Sequence, residues 1–148
     1  MSKNHIYREI DWSQPYLNSK DIQNAYEKLF GEKDAVEAAD YESSDERYDA
    51  ISEWELDYEE EFDKLKTIVE QGETIRDWYR GVTLIRDADF YDYIREFINI
   101  NYNIGLINEN KGWPYNHIIL DYYGAAEEVK SDYAAISYGD ETWFVYSS

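Results

Sequence analysis

The residues of this 148-residue chain best suited to chemistry are its carboxylates. Between Asp40 and Asp63 stand Asp40, Glu42, Asp45, Glu46, Asp49, Glu53, Glu55, Asp57, Glu59, Glu60, Glu61 and Asp63, with Arg47 the single basic residue among them. Carboxylates at such density can act as a hydrolytic acid and base, as ligands for a hard cation, or as a fixed array of anions facing a cationic partner. The first use has no support beyond residue type, because with so many carboxylates chance pairs are expected. For the second, Asp87-Ala88-Asp89 with Asp92 is the best calcium candidate, yet it lacks the turn glycine and the bidentate glutamate of a calcium loop, and helix capping accounts for it better.

Other chemistry is sparse. The two histidines, His5 and His117, are isolated in sequence, there is no cysteine, and neither a nucleophile elbow nor a glycine-rich phosphate cradle is present. These observations point to a protein that is not an enzyme and uses no metal and no cofactor. Sixteen tyrosines and five tryptophans suggest a carbohydrate platform, but their helical and strand spacing assigns most of them to a core, with tyrosine chosen where one end stays wet.

The third use fits the whole composition. The formal net charge is −19, with 33 acidic against 14 basic residues, far more than solubility asks of a small domain. Such a charge argues against nucleic acid and anionic membranes as partners and favours a basic protein. Disorder is excluded by 43% hydrophobic and 18% aromatic content, enough to fill a core. No cationic leader and no bilayer-length apolar run is visible, so a cytoplasmic protein is expected.

The elements that must position the carboxylates follow from periodicity. Ile51, Trp54, Tyr58, Phe62, Leu65 and Ile68 recur at spacings of three and four, which places one apolar stripe on a helix and fans the acids over the rest. At about 1.5 Å per residue the acidic stretch would span roughly 36 Å, with one net charge per ~3 Å, against one per ~1.7 Å of duplex DNA axis. Ser43 with Glu46 forms a capping-box pattern that starts this helix, and Gly72 ends it. Around Trp54-Glu55-Leu56-Asp57 the apolar and acidic residues fall out of phase, and Asp57 with Glu60 could cap a new helix, so a kink or two successive helices is expected. A break there would bend the acidic track.

Upstream, HIYREIDW reads as an edge strand ended by Pro15, followed by a helix from Ser19-Lys20-Asp21 that Gly31 stops; EKDAVEAADYE is left open between strand and helix. Downstream, Thr74 to Arg80 reads as a short helical turn closed by Gly81, and Val82 to Ile85 as a buried strand. Asp87 then caps a helix with Phe90, Tyr93, Ile94, Phe97 and Ile98 on its apolar face. After a loop through NENKGWP, the stretch PYNHIILDYYGAAEEVKSD resumes helical character with Asp121 as an internal cap or break, and YAAISY and TWFVY form a hairpin through Gly139-Asp140. The class is α+β: small helical lobes, short strands and a C-terminal β-hairpin, with an elongated acidic surface. Three regions are expected: a strand and helix lobe over 1–42, an acidic helical middle over 43–104, and a helix and hairpin region over 105–148.

The stretch from Glu73 to Tyr146 resembles the antirestriction protein ArdA family, small acidic DNA mimics of plasmids, conjugative transposons and phages. The likeness rests on the Ile75 to Trp78 turn followed by VTLIRDADFYDYIREFI, on Gly105-Leu106, and on Leu120-Asp121-Tyr122 with Ala125-Ala126 and the terminal hairpin. The chain departs from the family at Ala126 and Glu127, where the family has glycine and arginine. The resemblance implies an elongated homodimer joined through its C-terminal part, with Leu120, Tyr122, Ala125 and Ala126 as candidate contacts. It also implies an acidic surface that imitates bent duplex DNA in the groove of type I restriction-modification enzymes.

The expected function is therefore competition with DNA for the basic groove of a host defence enzyme, inside the host cell of a phage or mobile element. The carboxylates of Asp40 to Asp63, together with Asp87, Asp89, Asp92 and Glu96, would stand in for phosphates. An anti-CRISPR protein at the DNA site of an effector, or an immunity protein plugging a basic toxin nuclease, would have the same physical signature.

Overall fold

A computed structural model describes residues 10–104, 109 and 112–146. Strand β1 (Tyr16–Asn18) leads into helix α1 (Ser19–Ala38), which is followed by α2 (Ser44–Gly72), β2 (Thr83–Arg86), α3 (Asp87–Asn101), α4 (Tyr122–Val129), β3 (Tyr133–Tyr138) and β4 (Glu141–Tyr146). The four strands make one antiparallel sheet in the order β1-β2-β4-β3, so all three sequence regions contribute to it. The class is α+β, and the C-terminal hairpin is present with Gly139 at its turn at a φ of 58°.

Alternation along the strands sorts the core into two clusters, one on each face of the sheet. Leu17, Leu84, Ile136, Trp143 and Val145 face α1 and α2, where they meet Ile22, Leu29, Trp54, Tyr58, Phe62, Leu65 and Ile68. Ile85, with Tyr133 and Phe144, faces the other way onto Phe90, Ile94 and Ala126 of α3 and α4. The result is three layers: an α1/α2 hairpin, the sheet, and the α3/α4 pair.

Several boundaries differ from those the sequence suggests. The expected N-terminal strand lies partly outside the described residues; Ile10 to Gln14 is irregular, with the Gln14 N–H donating to the Asp11 carbonyl at 3.1 Å, and the edge strand begins only after Pro15. Gly31 does not stop α1, which absorbs the ambiguous EKDAVEA segment. A glycine inside a helix costs ~1 kcal/mol, and continued packing of α1 on α2 outweighs that; Lys33, for example, lies over the Phe62 ring at 4.9 Å. The C-terminal end of α1 is held instead by two later residues, with the Tyr41 hydroxyl donating to the Val36 carbonyl at 2.7 Å and the Arg47 guanidinium to the Glu37 carbonyl at 2.6 Å.

Helix α2 is a single unbroken element of 29 residues, so the two successive helices expected around Glu55 to Asp57 do not form. The out-of-phase residue is Leu56, which the helix simply leaves in solvent at 88% exposure while Trp54, Tyr58, Phe62 and Leu65 keep their register on the core. The Ser43 cap forms as expected, its hydroxyl accepting from the Glu46 N–H at 3.2 Å.

Between α2 and β2 the chain turns without forming a helix. Gly72 lies flat against Trp78, Asp77 adopts a positive φ of 64°, and Gly81 has a φ of 110°. The buried Ser19 hydroxyl pins this turn, donating to the Trp78 carbonyl and accepting from the Val82 N–H, each at 2.7 Å. Asp87 is the first residue of α3 rather than its cap; Arg86 holds the cap position without a side-chain bond. The helix expected from Pro114 onward forms only after Asp121, which caps α4 by accepting from the Gly124 N–H at 2.8 Å; before it there is just a short turn at Tyr115–His117.

Tyrosines of the sheet and of the helices packed on it give the fold a pH dependence. Burial pushes the Tyr133 hydroxyl up to about 12, with neighbouring Tyr93 and Tyr146 adding to the effect, and burial raises Tyr16, Tyr26 and Tyr58 from the usual 10.0. A raised folded-state value means the unfolded chain loses the proton first. Stability is thus fully present below pH 10 and falls as the pH climbs from about 10 to 12. Urea unfolding across pH 8 to 12 should trace this loss, and Tyr133→Phe should flatten its upper part.

Candidate acidic interface on helix α2

Helix α2 carries eleven acidic residues against three basic ones, and its geometry divides the acids into rows. At 3.6 residues per turn, the core stripe of Trp54, Tyr58, Phe62 and Leu65 faces inward. On one flank Glu46, Asp49, Glu53, Asp57 and Glu60 follow one another at spacings of three or four, all exposed; on the other flank Glu55, Glu59 and Asp63 do the same. Leu56 lies between the rows. Glu61 is the exception, half-buried with its Oε1 accepting from the Trp12 indole N–H at 3.2 Å.

Among the described residues, the charges in these rows are not neutralised from within. Arg47, the one cation of the segment, is drawn to the carbonyl at the end of α1. Lys64 is committed to Glu141 on β4 at 2.7 Å. Among the described residues, Asp49, Glu53, Asp57, Glu59, Glu60 and Asp63 enter no ion pair with a side chain. Asp40 and Glu42 stand exposed before the helix, and the Glu42 N–H donates to the Glu46 carboxylate at 3.3 Å, the return half of the capping arrangement one residue displaced.

The remaining candidates do not extend this array. Asp87, Asp89, Asp92 and Glu96 belong to α3, on the opposite face of the sheet from α2. Asp89 is bound to Arg86 at 2.9 Å and Asp87 stands 4.0 Å from Lys130, so half of that set is already paired; Asp92 and Glu96 are exposed. The expectation of one track running from Asp40 past Asp87 is corrected: the chain between the two sets crosses through the sheet.

The candidate dimer contacts are also redistributed. Ala126 is 2% exposed, inside the cluster beneath α4, and no second copy can reach it. The Tyr122 hydroxyl donates to Asn99 at 2.7 Å and its ring lies beneath Arg95, which ties α4 to α3. Leu120 and Ala125 are half-buried. The exposed apolar residues of this part of the chain are others: Ile100 at 73%, Trp113 at 81% and Ile119 at 92%, with Phe97 and Tyr123. Glu127, at the position where the resembled family has arginine, pairs with Lys130 at 3.3 Å.

His5 and the Gly105-Leu106 step lie outside the described residues, and His117 ends an exposed turn. Among the described residues no three of His, Cys, Asp and Glu are grouped to hold a metal ion, and no helix is long and apolar enough to cross a membrane. What sequence reading missed is a cavity beside α2 lined by Trp12, Tyr58 and Tyr138, residues far apart in sequence and joined only by the fold. No protein-family model, curated protein or solved structure matches the chain.

Proposed function

We propose that the protein is a DNA mimic that inhibits a host defence enzyme by occupying its basic DNA-binding groove, with a type I restriction-modification enzyme as the first target to test. The observation that carries this reading is the pair of unneutralised carboxylate rows on one unbroken helix. A helix with its side chains is ~10–12 Å across, close to the ~12 Å width of the DNA major groove, so rows on its two flanks present negative charge at a separation that a duplex-binding groove accommodates. Successive carboxylates within a row rise ~5–6 Å, sparser than one phosphate per ~3.4 Å of strand. Each contact would engage a lysine or arginine of the groove.

The mechanism is competition without chemistry. Binding would gain from release of counterions and from electrostatic steering, and would fall steeply as salt rises. A second copy, if recruited, would meet exposed apolar side chains, among them Phe97, Ile100, Trp113, Ile119 and Tyr123.

The test is capture from a host lysate followed by elution with duplex DNA. Recovery of a restriction complex that DNA displaces supports the reading. Recovery of a CRISPR effector or a small basic nuclease would reassign the target, and a captured complex that excess duplex leaves in place would refute mimicry.

A further inference from the structure

Beside the acidic rows lies a cavity of about 520 Å³, bounded by the chain from Ile10 to Ser13, the middle of α2, and Tyr138 of the hairpin. Its walls are the rings of Trp12, Tyr58 and Tyr138 with Lys64 among them, and its carboxylates are Asp11, Asp57, Glu60 and Glu61. Trp12 is fixed in place by its indole bond to Glu61 and by its contact with Trp143, ring centres 5.7 Å apart. Asp57 and Glu60 remain exposed and, among the described residues, without a side-chain ion pair.

The same walls already hold one cation of the chain. The Lys64 ammonium stands 4.2 Å from the Trp12 ring centre and 5.6 Å from that of Tyr138, with Glu141 as its counter-ion. The ring faces thus already receive positive charge, and Lys64, itself part of the lining, is paired with Glu141, so that among the described residues Asp57 and Glu60 have no ion-pair partner.

We infer that this cavity is an anchor pocket for an arginine side chain of the basic partner, an inference that rests on the reading of α2 as the partner-facing surface. A guanidinium suits the site better than an ammonium. It is planar and weakly hydrated, stacks on tryptophan and tyrosine, and its fork of donors can reach two carboxylates one helical turn apart. An anionic ligand would meet four carboxylates, and a neutral one would add no counter-charge to them.

The probe is N-acetylarginine amide, compared with its uncharged citrulline counterpart, with the Trp12 indole N–H followed by NMR in the full chain. The arginine probe should shift Trp12 saturably and bind about tenfold more tightly than citrulline. Asp57→Asn with Glu60→Gln, both at exposed positions, should abolish the difference while leaving the circular dichroism unchanged. Equal response to the two probes, or unchanged binding in the double variant, would overturn the pocket.

Trp12→Leu should separately weaken partner capture about tenfold with little change in its salt dependence. The two readings fail separately. Capture that survives reversal of Asp49, Glu53, Glu59 and Asp63 removes DNA mimicry without touching the pocket, whereas a Trp12 signal indifferent to the probes removes the pocket without touching mimicry.

Discussion

A variant carrying Asp49→Lys, Glu53→Lys, Glu59→Lys and Asp63→Lys should lose at least about a hundredfold in affinity for the captured defence enzyme at low salt. The four residues come from both rows, are exposed, and have no ion-pairing side chain among the described residues, so their reversal leaves the core of α2 intact. The net charge falls from −19 to −11, and four attractive contacts become four repulsive ones. Truncating one partner of a close charge pair costs ~2–5 kcal/mol, and repulsion adds to that, while rim positions contribute less because water screens them. The deficit should narrow as salt rises, because screening weakens attraction in the parent and repulsion in the variant. Competition binding against a labelled duplex at two salt concentrations reads both effects. Equal inhibition by parent and variant at low salt would end the proposal.

The largest expected loss of stability comes from a single methyl group. A Cβ at Gly72 would lie 2.5 Å from the six-membered ring of Trp78, which is buried and whose indole N–H is bound to Gln23 at 3.0 Å. The ring cannot retreat without breaking that bond and shifting the turn that Ser19 pins. Gly72→Ala should therefore destabilise by about 3 kcal/mol, the upper end of overpacking costs, and lower Tm by roughly 6–12 °C for a domain of this size. Gly31→Ala provides the contrast. Its Cβ would meet nothing within 4 Å on an exposed helical position, and it should stabilise by ~0.5–1 kcal/mol. Differential scanning calorimetry of the two variants gives opposite signs if the close approach at Gly72 is real, and a neutral Gly72→Ala would contradict it.

Local signals in the chain were read correctly where one residue type settles one backbone choice. Ser43 caps α2, Gly72 ends it, and Gly139 turns the hairpin. The apolar spacing from Trp54 to Leu65 places the inward stripe, and so the acids outside it. Local signals misled where two of them competed. Gly31 and the phase slip at Leu56 each argue for a break, but neither side chain has to be buried, and packing of the flanking turns carries the helix through. At Asp87 a good capping residue sits one position too late because the strand ends at Arg86, whose guanidinium holds Asp89.

Composition and periodicity settled that the chain is acidic, core-forming and α+β, and that Asp49, Glu53, Glu59 and their neighbours face solvent, because charge and amphipathic spacing are properties of the residues in order. Which carboxylates belong together was decided by the tertiary structure. The sheet places α3 on the face opposite α2, so Asp87 and Asp89 leave the array and find Lys130 and Arg86 instead. The same folding brings Trp12 and Tyr138 against Glu60 from positions 48 and 78 residues away, a pocket whose parts meet only through packing and so leave no spacing in the sequence to read.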